Sequence, residues 1–419
     1  MAYLGLLIYF TAFLLEINIW LPALQGIALL EWIMVGNCVL LLPAVSDGRA
    51  AKLFFQCPQT LLLGAFFCWS IVSVLYAGLD VAFGLIGYML IKYFIIYCMI
   101  VLALNTLPKI KGIMILLVFL GVLIALNGFI QMRDGVDLVG QTPNWRGAMR
   151  WIGVFDGSNG LALVFVTLLG FSLGFALLKD QGIWRIFGLM SSAVLTYAVF
   201  LTGSRGGFVG FLFVLLSYLF IKIPRLKLRT FIPLAIVIFV LGLALKPTEE
   251  GRGLGQSTTS ERIELFHQGL QMIKAHPLKG VGSGEYEHSN PVHKQAHNLW
   301  LQQMAETGAI GATIYALMYF CAIRSLVFFI KKERNNDLTA YNVGVQILIG
   351  AIGFLTCAFF LTVSYVMPYT ILALITSVSF VRGECIRLSA KDIINIGIFN
   401  MGLLITIYIL VQLFFIVFK

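Results

Sequence analysis

Residues 159–178 read NGLALVFVTLLGFSLGFALL, a run without a single charged side chain. About 20 consecutive apolar residues are enough for an α-helix to cross the hydrocarbon core of a bilayer. Charged side chains stand close to both ends of the run, Asp156 before it and Lys179 after it. The stretch therefore predicts a transmembrane helix whose ends lie at the two membrane surfaces.

The same pattern recurs on both sides of this run. Of the 419 residues, 60% are hydrophobic and 11% are charged. The apolar runs are repeatedly about as long as a helix needs to cross a bilayer, so this composition excludes a soluble globular protein. We predict an all-α polytopic membrane protein that forms a single integral-membrane domain over residues 1–419. Apolar segments lie near 3–16, 23–45, 59–79, 81–105, 110–131, 159–178, 183–202, 207–223, 230–246, 304–330, 341–365, 368–381 and 394–418. A merged or re-entrant pair within 341–381 would reduce them to about 12 transmembrane helices, which is the number we predict.

The formal net charge of +10 is spread over short loops and forms no basic domain of the kind that binds nucleic acid. We interpret the basic residues as topology signals and place their loops in the cytoplasm. These loops contain Arg49/Lys52, Lys109/Lys111, Lys179/Arg185, Lys222 to Arg229, Lys331/Lys332/Arg334 and Arg382/Arg387/Lys391. The loops 132–158, 202–206 and 247–297 then face the opposite side. Because the seven cysteines lie in membrane segments or cytoplasmic loops, we expect no disulfide framework.

The segment 247–297 is too long to be a bare connector, and loops of this length often carry function. Its apolar residues Ile263, Phe266, Leu270 and Ile273 recur at helical spacing. An amphipathic helix is therefore predicted over about 260–275, lying on the bilayer or covering a cavity. Pro277 and several glycines follow, and they predict a turn-rich segment after the helix.

All five histidines of the chain fall between residues 267 and 297. A new helix is predicted to begin near Gln295 and to continue into the membrane, which places His297 at a helix N-terminus. The partial positive charge there favours a neutral imidazole, which can act as a general base. His293 and His297 also have the i, i+4 spacing of a zinc pair, although no carboxylate ligand accompanies them. The other four histidines are typical of solvated or structural positions.

Arginines mark the other two loops that face away from the cytoplasm. Arg146 and Arg150 stand among aromatic residues and glycines, and Arg205 stands between two apolar spans within Ser204-Arg205-Gly206-Gly207. Arginine at this depth is costly unless it meets water or an anion. A planar guanidinium can bind a diphosphate through two hydrogen bonds, whereas the alternative role is an anchor at headgroup depth.

In order and spacing, four groups of residues resemble the O-antigen ligase and polymerase superfamily of bacterial membrane glycosyltransferases. They are Arg150…Gly153…Phe155…Asn159; Ser204-Arg205-Gly206-Gly207; Arg262 with Met272-Ile273 and Pro277-Leu278-Lys279-Gly280-Val281-Gly282; and His297-Asn298 with Leu301-Gln302 and Ala305-Glu306-Thr307-Gly308. The first third of the chain contributes only hydrophobicity to this resemblance.

The resemblance implies an enzyme of lipopolysaccharide biosynthesis in the bacterial inner membrane, with its active site in the periplasm. Such enzymes transfer a glycan (O-antigen) from undecaprenyl diphosphate to an acceptor, which in the ligase branch is a sugar hydroxyl of the lipid A core. No nucleotide sugar, metal or other cofactor is expected, and the implied partners are the lipid-linked donor, the acceptor and membrane lipids.

The chemistry of this transfer assigns candidate roles. His297 and Arg205 are the catalytic candidates, as base and as stabiliser of the leaving diphosphate, and Asn298 and Glu306 are accessory candidates. The residues expected to bind the diphosphate are Arg146, Arg150, Arg205 and Arg262. Arg262 has an alternative role in an ion pair with Glu261 or Glu264.

Three alternative functions remain open at this point. A repeat-unit polymerase or a protein O-oligosaccharyltransferase would use the same donor. We favour a ligase because no duplicated arginine motif of the kind found in polymerases is evident. A lipid-glycan transporter is disfavoured because internal repeats and mid-membrane charges are few. Lys92 is a charge within a predicted span and has no assigned role.

Overall fold

The computed structural model describes the chain except at residues 47, 76–83, 85–86, 88–89, 145–146, 152–154, 156, 224–232, 234–236, 238–257, 363–365, 384–385, 387 and 419. The described part is helical and contains no strand. Its α-helices are α1 (Ala2–Leu15), α2 (Ile17–Trp20), α3 (Leu29–Ser46), α4 (Gly48–Gln56), α5 (Pro58–Val74), α6 (Ile96–Ala103), α7 (Leu107–Asp134), α8 (Ser158–Leu177), α9 (Trp184–Leu201), α10 (Arg205–Lys222), α11 (Thr258–Ala275), α12 (Leu299–Glu333), α13 (Leu338–Ala358), α14 (Val366–Arg382) and α15 (Ala390–Phe418). A 3₁₀ turn covers Pro22–Leu24 and a π-helical turn covers Leu90–Ile95.

Among the described residues, 8 helices are long and apolar enough to cross a membrane, and α1, α5, Tyr93–Ala103 and α14 are shorter apolar helices. The predicted class, an all-α polytopic membrane protein, is confirmed. The predicted span 230–246 lies largely outside the described residues. Because α13 and α14 are separate helices, the number of about 12 transmembrane helices stays a prediction.

The helices form two compact units, each assembled from three stretches of chain. The first unit comprises Met1–Pro43, Ala103–Gly251 and Leu326–Ala358, and the second comprises Ala44–Leu102, Arg252–Ser325 and Phe359–Lys419. The prediction of one integral-membrane domain over 1–419 stays a prediction.

The first unit is built around α8, which corresponds to the apolar run 159–178. Almost every residue of α8 is buried, and it packs against α9 and α13. Small residues allow this close packing, because a Cβ added at Gly170 would lie 2.6 Å from Gly350 Cα. The Ser172 hydroxyl lies 2.6 Å from that of Ser191, so a hydrogen bond links α8 to α9. An apolar run without charges has become the centre of a helix bundle.

The second unit is connected by polar contacts between distant helices. Arg324 in α12 donates to Asp392 in α15 at 2.6 Å. The Tyr97 hydroxyl lies 2.7 Å from that of Thr60 and donates to Thr376 at 3.3 Å. Interhelical hydrogen bonds of this kind stabilise helix bundles in lipid.

Cys57 departs from the sequence-based expectation because it is disulfide-bonded. Its partner lies outside the described residues. The sequence argument assigns thiols to a side of the membrane, whereas bond formation depends on which thiols the fold brings within a few ångströms of each other. This bond is therefore an exception to the expectation that the chain has no disulfide framework, and five other cysteines are free.

Candidate functional site

His297 lies immediately before the long helix α12, and its backbone is left-handed, with φ of 52°. Positive φ is uncommon for residues other than glycine and often occurs at functional sites. The helix begins at Leu299 rather than near Gln295, so the prediction that His297 belongs to the helix is wrong. Asn298 explains the boundary, because its Oδ1 accepts a hydrogen bond from the Leu301 N–H at 2.9 Å and so caps the helix.

The second amide atom of Asn298, the residue directly after His297, is also hydrogen-bonded. Its Nδ2 donates to the carbonyl of Phe359 at 3.1 Å, and the side chain is 4% exposed. Both ends of the amide are therefore occupied by backbone groups. The structure gives Asn298 an architectural role beside the candidate base.

Gln302 and Glu306 form a buried hydrogen-bond network one turn further along α12. Gln302 Nε2 donates to Glu306 Oε1 at 2.8 Å, and Gln302 Oε1 accepts from the Ala296 N–H at 3.1 Å. The hydroxyl of Thr362 donates to the same oxygen at 2.9 Å. Because Ala296 directly precedes His297, this network holds the backbone on the other side of the histidine from Asn298.

The helical hydrogen-bond pattern of α12 breaks at Gly308, whose φ is 66° and ψ is −172°. The turn at residues 277–282 docks into this break. Val281 and Gly282 donate to the carbonyls of Ala305 and Glu306, both at 2.9 Å. The Ala309 N–H donates to the carbonyl of Pro277 at 2.8 Å. Backbone groups freed by a broken membrane helix must find such partners, because lipid offers none.

The same break explains why Gly280 and Gly308 are glycines. A Cβ added at Gly308 would lie 2.2 Å from the Leu278 carbonyl oxygen, and one added at Gly280 would lie 2.3 Å from that of Glu306. The indole N–H of Trp69 donates to the carbonyl of Thr307, next to the break, at 2.8 Å. The turn at residues 277–282 and the break in α12 are thus joined by backbone hydrogen bonds into one structure.

The amphipathic helix predicted over about 260–275 is confirmed as α11. Its apolar residues Ile263, Phe266, Leu270 and Ile273 pack against a core that includes Tyr286, Leu301 and Ile407. The Tyr286 hydroxyl donates to the carbonyl of Leu265 at 2.5 Å. The helix therefore covers a cluster formed by the 280s segment, α12 and α15.

Arg262 is in the first turns of α11 and is partly buried. Its neighbour Glu261 forms an ion pair with Lys294, three residues before His297. The beginning of α11 is thereby tied to the segment that carries the candidate base. Glu264, the other carboxylate considered as a partner for Arg262, accepts a hydrogen bond from Gln268 at 2.7 Å.

Three of the other four histidines lie in exposed parts of this unit, whereas His267 is partly buried in α11. His276, His288 and His293 are exposed, and His288 lies 3.9 Å from Glu285. The segment 291–297 is not helical, so the i, i+4 spacing of His293 and His297 does not place both rings on one helix face. Within the described residues, no group of three or more His, Cys, Asp or Glu side chains is placed to hold a metal.

Arg150 lies in the first unit, in the loop between α7 and α8. Its N–H donates to Gln131 Oε1 at 2.9 Å, and its Nε donates to the carbonyl of Thr142 at 2.7 Å. The preceding residue, Met149, donates to the carbonyl of Leu201 at 3.0 Å. This contact brings the Arg150 loop beside the end of α9, which leads directly into the Ser204–Gly207 turn.

Arg205 is the first residue of α10, and Ser204 is its N-cap. Ser204 Oγ accepts a hydrogen bond from the Gly207 N–H at 3.1 Å. A Cβ added at Gly207 would lie 2.6 Å from Ala162 Cβ, so glycine permits α10 to approach α8 closely. The guanidinium thus belongs to a rigid helix N-terminus, where the helix dipole adds attraction for an anion.

The structure therefore brings the sequence-predicted residues together in two sets. Arg150 and Arg205 lie in the first unit on adjoining segments, and Arg262, His297, Asn298 and Glu306 lie in the second. Arg146 lies outside the described residues. Three contributors to the second set had no predicted role: Gln302, Gly308 and Trp69. The i, i+4 spacing of Gln302 and Glu306 was a usable signal, whereas the contact of Trp69 joins residues 238 positions apart and left none.

Comparison with known protein families finds a match over part of the chain. Residues 190–316 match the family described as O-antigen ligase. This stretch runs from α9 into α12 and contains Arg205, Arg262, His297, Asn298 and Glu306, whereas Arg150 precedes it. No curated protein matches the chain. Over these residues the chain is similar to the O-antigen ligase family, and this similarity supports a function of the O-antigen ligase or polymerase type in general.

Proposed function

We propose that this protein transfers a preassembled glycan (O-antigen) from undecaprenyl diphosphate to a sugar hydroxyl of the lipid A core, on the periplasmic face of the bacterial inner membrane. The observation that carries the proposal is the fixed geometry of His297. Its left-handed backbone is held between the Asn298 cap and the Gln302 network. A residue whose two chain neighbours are held by buried hydrogen bonds is suited to catalysis, because its backbone position is set before the substrate arrives.

In this proposal His297 is the general base. Its imidazole takes the proton of the acceptor hydroxyl while the oxygen attacks the anomeric carbon of the donor sugar. The bond between that carbon and the diphosphate oxygen breaks, and undecaprenyl diphosphate leaves with the electron pair. Attack opposite the leaving group inverts the anomeric configuration.

The arginines supply the charge that the leaving group requires. Arg205 at the N-terminus of α10 and Arg150 on the adjoining loop bind the diphosphate, together with Arg262 at the beginning of α11; Arg146 is a further candidate. Guanidinium groups stabilise the negative charge that develops on the departing oxygen. The proposed chemistry therefore requires no metal and no nucleotide sugar.

Ligation is favoured over polymerisation because the arginines do not form a duplicated motif. Polymerases of this superfamily often carry two arginine-rich external loops, whereas the outward segments of this sequence contain no evident duplicated arginine motif. Polymerase and protein O-oligosaccharyltransferase activities remain the alternatives that the acceptor experiment separates.

The test is a transfer reaction with the purified full-length protein, an undecaprenyl diphosphate-linked polymer, lipid A core, a chelator and no nucleotide sugar. We expect the glycan on the lipid A core, and we expect Arg205→Ala to reduce the rate about 100- to 1000-fold. The matched control is Arg185→Ala, also in the first unit, whose Nε donates to the carbonyl of Ala176. Chain growth on the lipid carrier without transfer to the core would reject ligation in favour of polymerisation.

A further inference from the structure

A cavity of about 430 Å³ lies in the second unit, at the junction of α4 with the end of α14. Its walls are formed by two short segments, Lys52, Leu53 and Gln56 from α4 and residues 380–383 from the end of α14. Gly383 ends α14 in a left-handed conformation with φ of 66°. Its N–H donates to the carbonyl of Phe380 at 3.1 Å, which closes the last turn of the helix.

The helix α4 has the character of a segment that lies in the membrane interface. It is only nine residues long and connects α3, a candidate membrane span, to the apolar helix α5. Lys52 is exposed, whereas Phe54 is 5% exposed and its ring lies 6.0 Å from that of Tyr97. A short helix with a buried aromatic residue and an exposed basic residue is typical of the boundary between headgroups and acyl chains.

The cavity combines cationic and apolar walls. Lys52 and Arg382 supply positive charge and Gln56 supplies an amide, while Leu53, Phe380 and Val381 are apolar. None of the described residues that line it is acidic. This combination matches a molecule with a phosphate at one end and hydrocarbon at the other, and a volume of this size suits a small-molecule ligand.

We propose that this cavity binds the phosphate headgroup of an anionic membrane phospholipid. Lys52 and Arg382 contact the phosphate, Gln56 donates to its ester or glycerol oxygens, and the apolar wall contacts the first carbons of the acyl chains. Basic pockets beside membrane helices commonly bind such headgroups. None of the residues that line the cavity has a role in the proposed glycan transfer, so the site is independent of that reaction.

The test is native mass spectrometry of the full-length protein in detergent, supplied with equimolar phosphatidylglycerol and phosphatidylcholine. We expect the wild-type protein to retain one phosphatidylglycerol molecule preferentially. Each cation contributes about a fivefold change in affinity at a membrane surface, so Lys52→Gln with Arg382→Gln reduces the preference about 25-fold. The matched control is Lys331→Gln with Arg334→Gln, a second exposed Lys and Arg pair on the same predicted side.

The conservative double exchange Lys52→Arg with Arg382→Lys separates binding from folding, because it keeps both charges and should retain phosphatidylglycerol. Equal losses in the test pair and the control pair would overturn the proposal, since they would reflect net charge alone. Binding of soluble glycerol 3-phosphate with the same affinity as phosphatidylglycerol would also overturn it, since the ligand would then be a free phosphate ester.

Discussion

His297 and His293 share an unusual feature that makes them a natural test and control. Both have left-handed backbone conformations, with φ of 52° and 50°, and both lie in the same irregular segment. Only His297 is enclosed by the contacts of Asn298 and Gln302. We predict that His297→Ala lowers the rate of glycan transfer about 100- to 10,000-fold, because the acceptor hydroxyl loses its base.

The measurement is the transfer rate of the purified variants, with gel-filtration profiles to establish that both are folded. His293→Ala should keep close to wild-type activity. If His297→Ala retained more than a tenth of the wild-type rate, His297 would be excluded as the base.

The residues themselves show where sequence reasoning succeeds and where it stops. His297 was selected because it stands in the one polar segment rich in histidine, and its proximity to a helix N-terminus was predicted correctly. Its exclusion from the helix was not predicted. Asn298 is a favoured capping residue, but a preference for capping does not decide which of several polar residues occupies the cap.

The break in α12 provides a prediction about Gly308. Its backbone conformation is essentially restricted to glycine, and a Cβ there would meet the Leu278 carbonyl oxygen at 2.2 Å. We predict that Gly308→Ala lowers the free energy of unfolding by about 1–3 kcal/mol from backbone strain, with a further loss from the displaced turn. The melting temperature in detergent measures this loss.

A second glycine in a membrane helix supplies the control for Gly308. A Cβ added at Gly402 in α15 would have no atom within 4 Å. Gly402→Ala should therefore leave the melting temperature unchanged or slightly higher, since alanine favours a helix. Equal melting temperatures for the two variants would show that the break is not a fixed part of the fold.

The hydrogen-bond network of Gln302 predicts that this residue affects the rate of glycan transfer by positioning His297. Gln302→Met removes the acceptor of the Ala296 N–H, and leaving that buried group without a partner costs about 1–3 kcal/mol. Because Ala296 directly precedes His297, we expect kcat for transfer to fall by up to about 100-fold, while KM changes little.

The neighbouring glutamine supplies the matched control. No described residue forms a hydrogen bond with Gln303 Oε1. Gln303→Met should therefore change neither kcat nor KM by more than about twofold, because a substitution that removes no specific contact usually has a small effect. A rise in KM with unchanged kcat in Gln302→Met would assign Gln302 to substrate binding instead of positioning.

Elements were more predictable from sequence than the contacts between them. The apolar runs gave α7 to α10 and α12 to within a few residues, and the spacing of Ile263, Phe266, Leu270 and Ile273 gave α11. The docking of the 277–282 turn into α12 was not predictable, because it depends on backbone hydrogen bonds across about 30 residues of chain. Hydropathy records burial in lipid and contains no information on such pairing.

The molecule as a whole places most of its polar chemistry at the ends of apolar helices. Arg205 begins α10 and His297 directly precedes α12, while Lys52 and Arg382 stand where α4 and α14 approach each other. This distribution follows from the cost of charge in hydrocarbon. It also means that the side of the membrane on which each helix end lies determines which chemistry is available to it.

The side of the membrane on which each loop lies can be tested with single cysteine substitutions. Ser289 and Asn335 are both exposed, the first in the histidine-rich segment and the second between α12 and α13. The basic residues Lys331, Lys332 and Arg334 predict that Asn335 is cytoplasmic and Ser289 periplasmic. In cells with a permeabilised outer membrane, a membrane-impermeant maleimide should modify Ser289→Cys, and it should modify Asn335→Cys only after the inner membrane is opened. The parental chain, which keeps its own cysteines, sets the background. Labelling in the reverse order would place His297 in the cytoplasm, where no transfer to a periplasmic lipid A core could occur.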